Sequence, residues 1–107
     1  MYREENLTEK MINSPEYYQE LSDEEKERLC DWIICNIFPR KTPNHEHSSY
    51  KLKHYFEHDK GGFYITNGQF KGAMIACGFE PVNENELNWH FRISQKSPIF
   101  HRGLSCL

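Results

Sequence analysis

The sequence predicts an α+β fold, several helices with a small antiparallel sheet. Three observations lead there. Thr66-Asn67-Gly68-Gln69 is a capping box, in which the Thr66 hydroxyl and the Gln69 side chain can satisfy each other's backbone N–H groups. Phe70, Ala73, Met74 and Cys77 then recur at helical spacing, and Gly78-Phe79 follows as a helix stop. Finally Leu87, Trp89, Phe91 and Ile93 alternate with Asn88, His90, Arg92 and Ser94, the pattern of a strand with one buried face. A helix, a polar turn and an alternating strand are the order expected of the second half of a winged helix-turn-helix, here with extra N-terminal helices before it.

Taken in order, the chain opens with a polar segment in which Thr8 is a weak cap. Ser14-Pro15-Glu16 places a capping residue, a first-turn proline and an acid together, so a short helix is expected to about Leu21. Ser22-Asp23-Glu24-Glu25 repeats the capping logic. Leu29, Trp32, Ile33 and Ile37, widened by Ile34 and Phe38, make the strongest core stripe, over 23–38, and Pro39 ends it. Arg40 to His47 contains Pro43 and Asn44 and reads as an irregular connector. Ser48 or Ser49 caps a helix through about His58, with Leu52, Tyr55 and Phe56 inward. Phe63-Tyr64-Ile65 is a short extended run, expected to pair as a strand with 87–94. The helix 67–77, a polar turn at Glu80–Glu86 and the alternating strand complete the core. Trp32, Leu52, Phe56, Phe70, Met74, Trp89 and Phe91 are its expected members. The tail from Gln95, with Pro98, Phe100 and Leu104, has no clear period and is expected to pack as a strand or short helix.

A chain of 107 residues fits one domain, with an aromatic content of 14% supplying much of the core. The expected organisation is an acidic helical part at 1–39, a winged-helix-like core at 48–94 and a tail at 95–107. No apolar run approaches the roughly 20 residues of a membrane span, and the first residues carry no hydrophobic signal region, so a cytoplasmic protein is expected. Cys30 and Cys77, near apolar helix faces, read as buried thiols. Charge is uneven. Residues 1–39 hold 4 basic and 10 acidic residues, net −6, whereas 40–107 hold 9 basic and 6 acidic, net +3. Two faces with different partners follow from that asymmetry, although an acidic helix is also what a solvated surface looks like.

Ser49, Tyr50, Leu52, Lys53 and His54, then Tyr64 to Gly68, then Gly78 and Phe79 form a run that resembles a family of small phage and prophage proteins. The stretch FKGAMIACGFEP followed by WHFRIS is also similar to the C-terminal winged helix of viral and phage primase-helicases. The resemblance spans about residues 48–94. It implies a phage-encoded winged helix in a bacterial host cytoplasm; the order of elements makes 49–57 the expected first helix of the pair and 67–77 the expected recognition helix. The wing differs from DNA-binding relatives: Glu80, Glu84 and Glu86 are acidic where a phosphate-facing wing is normally basic.

The expected functional face comprises Lys53, Asn67, Lys71, Ile75, His90 and Arg92. All six point away from the apolar stripes, so folding alone does not explain them. Asn67 and Lys71 are residue types that read base edges, and Thr66 at a helix N-terminus can hold a phosphate. The competing explanation for Gly68 and Gly72 is close packing of another element. His54 and His58 are four apart, a metal-compatible spacing that His45 and His47 could extend, but ordinary surface histidines explain them more simply. No phosphate loop, nucleophile elbow or catalytic triad is visible, so no enzyme, cofactor or metal is expected. Two functions remain. One is a nucleic-acid-binding regulator or replication accessory acting on double-stranded DNA. The other is an antagonist that blocks a host DNA-binding protein, such as a nuclease or defence effector, with its acidic surfaces. A homodimer is compatible with both.

Overall fold

The structure, a computed structural model, describes residues 9–101. Thr8, Arg102, Leu104 and Cys106 lie outside the described residues. The order is α1 (Glu9–Asn13), a 3-10 helix (Pro15–Glu20), α2 (Asp23–Asn36), β1 (Pro39–Asn44), α3 (Ser49–His58), α4 (Asn67–Ala76), β2 (Phe91–Ile93) and a second 3-10 helix (Pro98–His101). The class is α+β with a two-stranded antiparallel sheet.

Local chemistry places the helix ends. Ser22 and Glu25 close a capping box on α2, with Glu25 N–H donating to Ser22 Oγ at 3.1 Å and Ser22 N–H to Glu25 Oε1 at 2.8 Å. Thr66 and Gln69 do the same on α4, at 3.0 and 2.9 Å. At the far end of α4, Gly78 takes φ 95°, which a residue with a Cβ adopts only at a cost. Its N–H donates to Ile75 O at 2.9 Å and the Phe79 N–H to Met74 O at 2.8 Å, a Schellman stop. The Ser14-Pro15 start holds as well, but the segment it opens is a tighter 3-10 helix rather than α.

The sheet differs from expectation. Phe63–Ile65 forms no strand; it is an extended linker that buries Ile65, whose N–H donates to Glu57 Oε2 at 3.1 Å. The strand that pairs with β2 is β1, inside the stretch expected to be irregular. Pro39 faces Ile93 and Asn44 faces Phe91, with a register irregularity between them. Two prolines are tolerated because Pro39 opens an edge strand and Pro43 lies within the irregular part. Asn44 compensates for the broken ladder, its Nδ2 donating to Ile93 O at 3.2 Å and to Gln95 Oε1 at 2.9 Å. The wing-like turn contributes only an isolated bridge, Pro81 to Phe91. The alternation beginning at Leu87 is also shorter than expected: β2 starts at Phe91, and Leu87 is 56% exposed.

All seven expected core residues are buried in one cluster. At its centre is α4, against which α1, the first 3-10 helix, α2 and α3 all pack. Asn67 through Met74 are buried without interruption, polar and apolar faces alike. Gly68 and Gly72 permit this. A Cβ on Gly68 would fall inside contact distance of the Ser14 carbonyl, and one on Gly72 would strike Tyr18 Cβ and the Pro15 carbonyl. Cys30 of α2 and Cys77 at the end of α4 form a disulfide, with Cα atoms 6.3 Å apart. The reading of these two as buried thiols is therefore corrected. Facing side chains from α2 and α4 meet across a 47-residue separation, which no spacing rule in the sequence encodes.

His47 also departs from the surface role expected of it. Only 7% of it is exposed, its ring stacks on Phe100 of the second 3-10 helix at 3.7 Å, and neither ring nitrogen has a hydrogen-bond partner among the described residues. Burial pushes its pKa below the ordinary histidine value, and the nearby Lys51 pushes the same way, while Glu46 and the polar side chain of Gln95, close by but outside hydrogen-bond geometry, oppose. The unfolded chain therefore takes up this proton at a higher pH than the folded one. Stability from this residue is complete above the ordinary histidine pKa, falls as pH drops through it, and stops falling below the depressed folded value. Denaturant midpoints measured from pH 7.5 to 5 should decline, and His47→Phe should flatten that decline. An unchanged slope in the variant would show that other groups cause it.

Candidate interaction site

The six residues of the expected face separate in the structure. Asn67, the first residue of α4, is 3% exposed. Its Oδ1 accepts from Ser49 Oγ at 2.9 Å, and its Nδ2 donates to Asn13 Oδ1 at 2.9 Å, Asn88 Oδ1 at 2.9 Å and Leu87 O at 3.3 Å. Lys71 is equally buried. Its Nζ donates to Asn13 O at 3.0 Å and sits 4.8 Å from the centre of the Trp89 ring. Burial holds its pKa below the ordinary lysine value. Lys53 is buried too, 2.9 Å from Glu57 Oε2 and flanked by the Tyr50 and Tyr64 rings at 5.3 and 5.1 Å.

The other three lie elsewhere. Ile75 is exposed, one turn beyond Lys71. Arg92 is exposed on β2. His90 is half-buried, with Nδ1 3.3 Å from Glu86 Oε1 and its ring 5.1 Å from that of His45. The polar face of α4 is occupied by the chain itself: Ser14 to Glu20 lies on it where DNA would have to lie. The signal for this was the Gly68–Gly72 pair, spaced to open one side of a helix to close approach. That pattern serves a nucleic-acid backbone and a protein backbone equally well.

Lys53 and Asn67 do come together, in a cleft of about 240 Å³ that they line with Ile12, Asn13, Tyr50, Leu87 and Asn88. Lys71 reaches the Asn13 wall from beneath through its bond to the carbonyl. Tyr50 and Leu87 stand half-exposed at the rim. A shallower hollow lined by Lys10, Asn13, Ser14 and Leu87 adjoins it. Sequence reasoning misses Tyr50, Leu87 and Asn88 as site residues: alternation puts Leu87 and Asn88 on opposite faces of a strand, and Tyr50 lies outside the apolar stripe of its helix.

Two surfaces remain. On α2, Glu24, Glu27 and Asp31 are exposed along one side; Ile34 and Phe38, expected to widen the core stripe, are instead 61% and 44% exposed, because the helix stops at Asn36 and its buried side is filled by Leu29, Trp32 and Ile33. Around the sheet, Arg40, Lys41, Arg92 and Lys96 are exposed. His54 has Nδ1 3.1 Å from Glu57 Oε1 and its ring 6.1 Å from that of His58. Among the described residues no three histidine, cysteine or acidic side chains gather as a metal site, and no helix is long and apolar enough to cross a membrane. No family model, curated protein or solved structure matches this chain.

Proposed function

We propose that this chain is a protein-binding antagonist whose helix-turn-helix-like scaffold (α3, α4 and β2) serves for docking rather than for reading bases. One observation supports it above the rest. The polar face of α4 is buried under Ser14–Glu20, so Asn67 and Lys71 are spent on holding the N-terminal segment. The exposed face of α2 offers Glu24, Glu27 and Asp31, with one cation, Arg28, beside them, then Ile34, and Phe38 is exposed just past the helix end; the carboxylates and the two apolar side chains suit a basic surface with an apolar pocket. The partner is then a DNA-binding host factor, a nuclease or defence effector.

A mobility shift on random duplex DNA across a salt series tests this reading. The expected result is no shift at low salt. Binding whose log affinity falls steeply with log salt would overturn it. The exposed cations around the sheet favour the nucleic-acid reading in that event, and the variants then locate the contact. Arg92→Ala should lower the salt slope by about one unit, whereas Lys71→Ala, on a buried side chain, should leave it unchanged.

A further inference from the structure

The cleft between α1, α3 and the residues before Trp89 has an uneven inventory of polar atoms. Four of its oxygens each already accept a bond: Asn13 Oδ1, Asn88 Oδ1 and Leu87 O receive from Asn67, and Asn13 O receives from Lys71. Its donors are not exhausted. Lys53 gives one of three N–H groups to Glu57 and directs its charge at two tyrosine rings. Asn88, which lines the cleft, engages Asn67 through its oxygen, and its amide carries two N–H donors besides. A ligand that brings acceptors suits these donors.

Charge points the same way. Lys53 and Glu57 cancel as a pair. Lys71 has no carboxylate partner among the described residues, only a carbonyl and an indole face, so one buried positive charge stands behind the Asn13 wall. Of the remaining walls, Ile12 and Leu87 are apolar, and Tyr50 adds an aromatic ring with a hydroxyl at its tip. A volume of about 240 Å³ is below the ~300–1,000 Å³ of pockets for drug-sized ligands. We propose that this cleft binds a small apolar carboxylate, its apolar body between Tyr50 and Leu87 and its oxygens toward Lys53 and Asn88. This proposal is independent of the function proposed above, which uses α2.

The probe is phenylacetate, titrated while the side-chain amide signals of Asn67 and Asn88 and the Trp89 indole signal are followed by NMR. Saturable shifts are expected, with a dissociation constant of about 1–10 mM for a ligand of roughly ten heavy atoms. Phenylacetamide, the same body without the charge, should bind about tenfold more weakly. Leu87→Asp, on an exposed side chain that folding does not need, should weaken phenylacetate by at least about tenfold through lost contact and charge repulsion. Lys71→Met keeps the stem and should erase the preference for acid over amide. If that variant does not fold, the acid–amide comparison on the unaltered protein decides alone. N-acetylphenylalanine distinguishes sources: tighter binding than phenylacetate assigns the carboxylate to a polypeptide C-terminus, weaker binding to a free acid, and both uphold the site. Equal binding of acid and amide, or no saturable shift, overturns it.

Discussion

Gly68→Ala should destabilise the fold by about 3 kcal/mol, at the upper end of the usual cost of overpacking. The sign is the informative part. On an exposed recognition helix the same change would stabilise by roughly 0.5–1 kcal/mol, because alanine loses less backbone freedom than glycine. Here the new Cβ would meet Ser14 backbone atoms, which cannot swing aside as a side-chain tip can. The Ser14–Glu20 segment must lift, and Asn67 then loses Asn13 while Lys71 loses its carbonyl partner. Gly72→Ala should behave alike against Tyr18 and the Pro15 carbonyl. Urea unfolding midpoints measure both. A more stable Gly68→Ala would place the N-terminal segment off α4 and return Asn67 and Lys71 to the surface, removing the main support for a protein-binding role.

Trp89→Ala should cost roughly 3–5 kcal/mol, the range for deleting a buried large aromatic. Trp89 is 4% exposed and joins three parts of the fold. Its backbone exchanges bonds with Ser49, the Ser49 N–H donating to Trp89 O at 2.7 Å and the Trp89 N–H to Ser49 Oγ at 3.0 Å. Its indole Nε1–H donates to Glu84 O at 3.1 Å and fastens the acidic turn. Its ring meets Phe91 edge-on and carries the Lys71 ammonium. Removal leaves a cavity and takes from a buried cation the aromatic face beneath it. Trp89→Phe should cost distinctly less, since it keeps most of the volume. A loss below about 1 kcal/mol for Trp89→Ala, read from denaturant melts, would place the indole at the surface instead.

Local chemistry was legible because it acts within one turn of chain. Ser22, Thr66 and Gly78 mark helix ends through bonds to residues three to five positions away, and the structure makes those bonds. The apolar stripes named the core for a similar reason: burying Phe70 and Met74 requires only that something apolar face them. The outer face of α4 could not be decided that way. Asn67, Gly68, Lys71 and Gly72 suit a close, polar partner, and nothing in their spacing says whether it is a duplex or a segment fifty residues earlier in the same chain. The strand pairing of β1 was hidden likewise, because Pro39 and Pro43 argue against a strand until an edge position makes their missing N–H groups harmless. By itself the sequence determined where the capped helices begin and which large apolar side chains anchor the core; the tertiary structure alone decided what covers α4, which strands pair, that Lys53, Asn67 and Lys71 are buried while Ile34 and Phe38 are not, and that Lys53, Asn67 and Leu87 share one cleft, since those depend on contacts between elements that no local propensity carries.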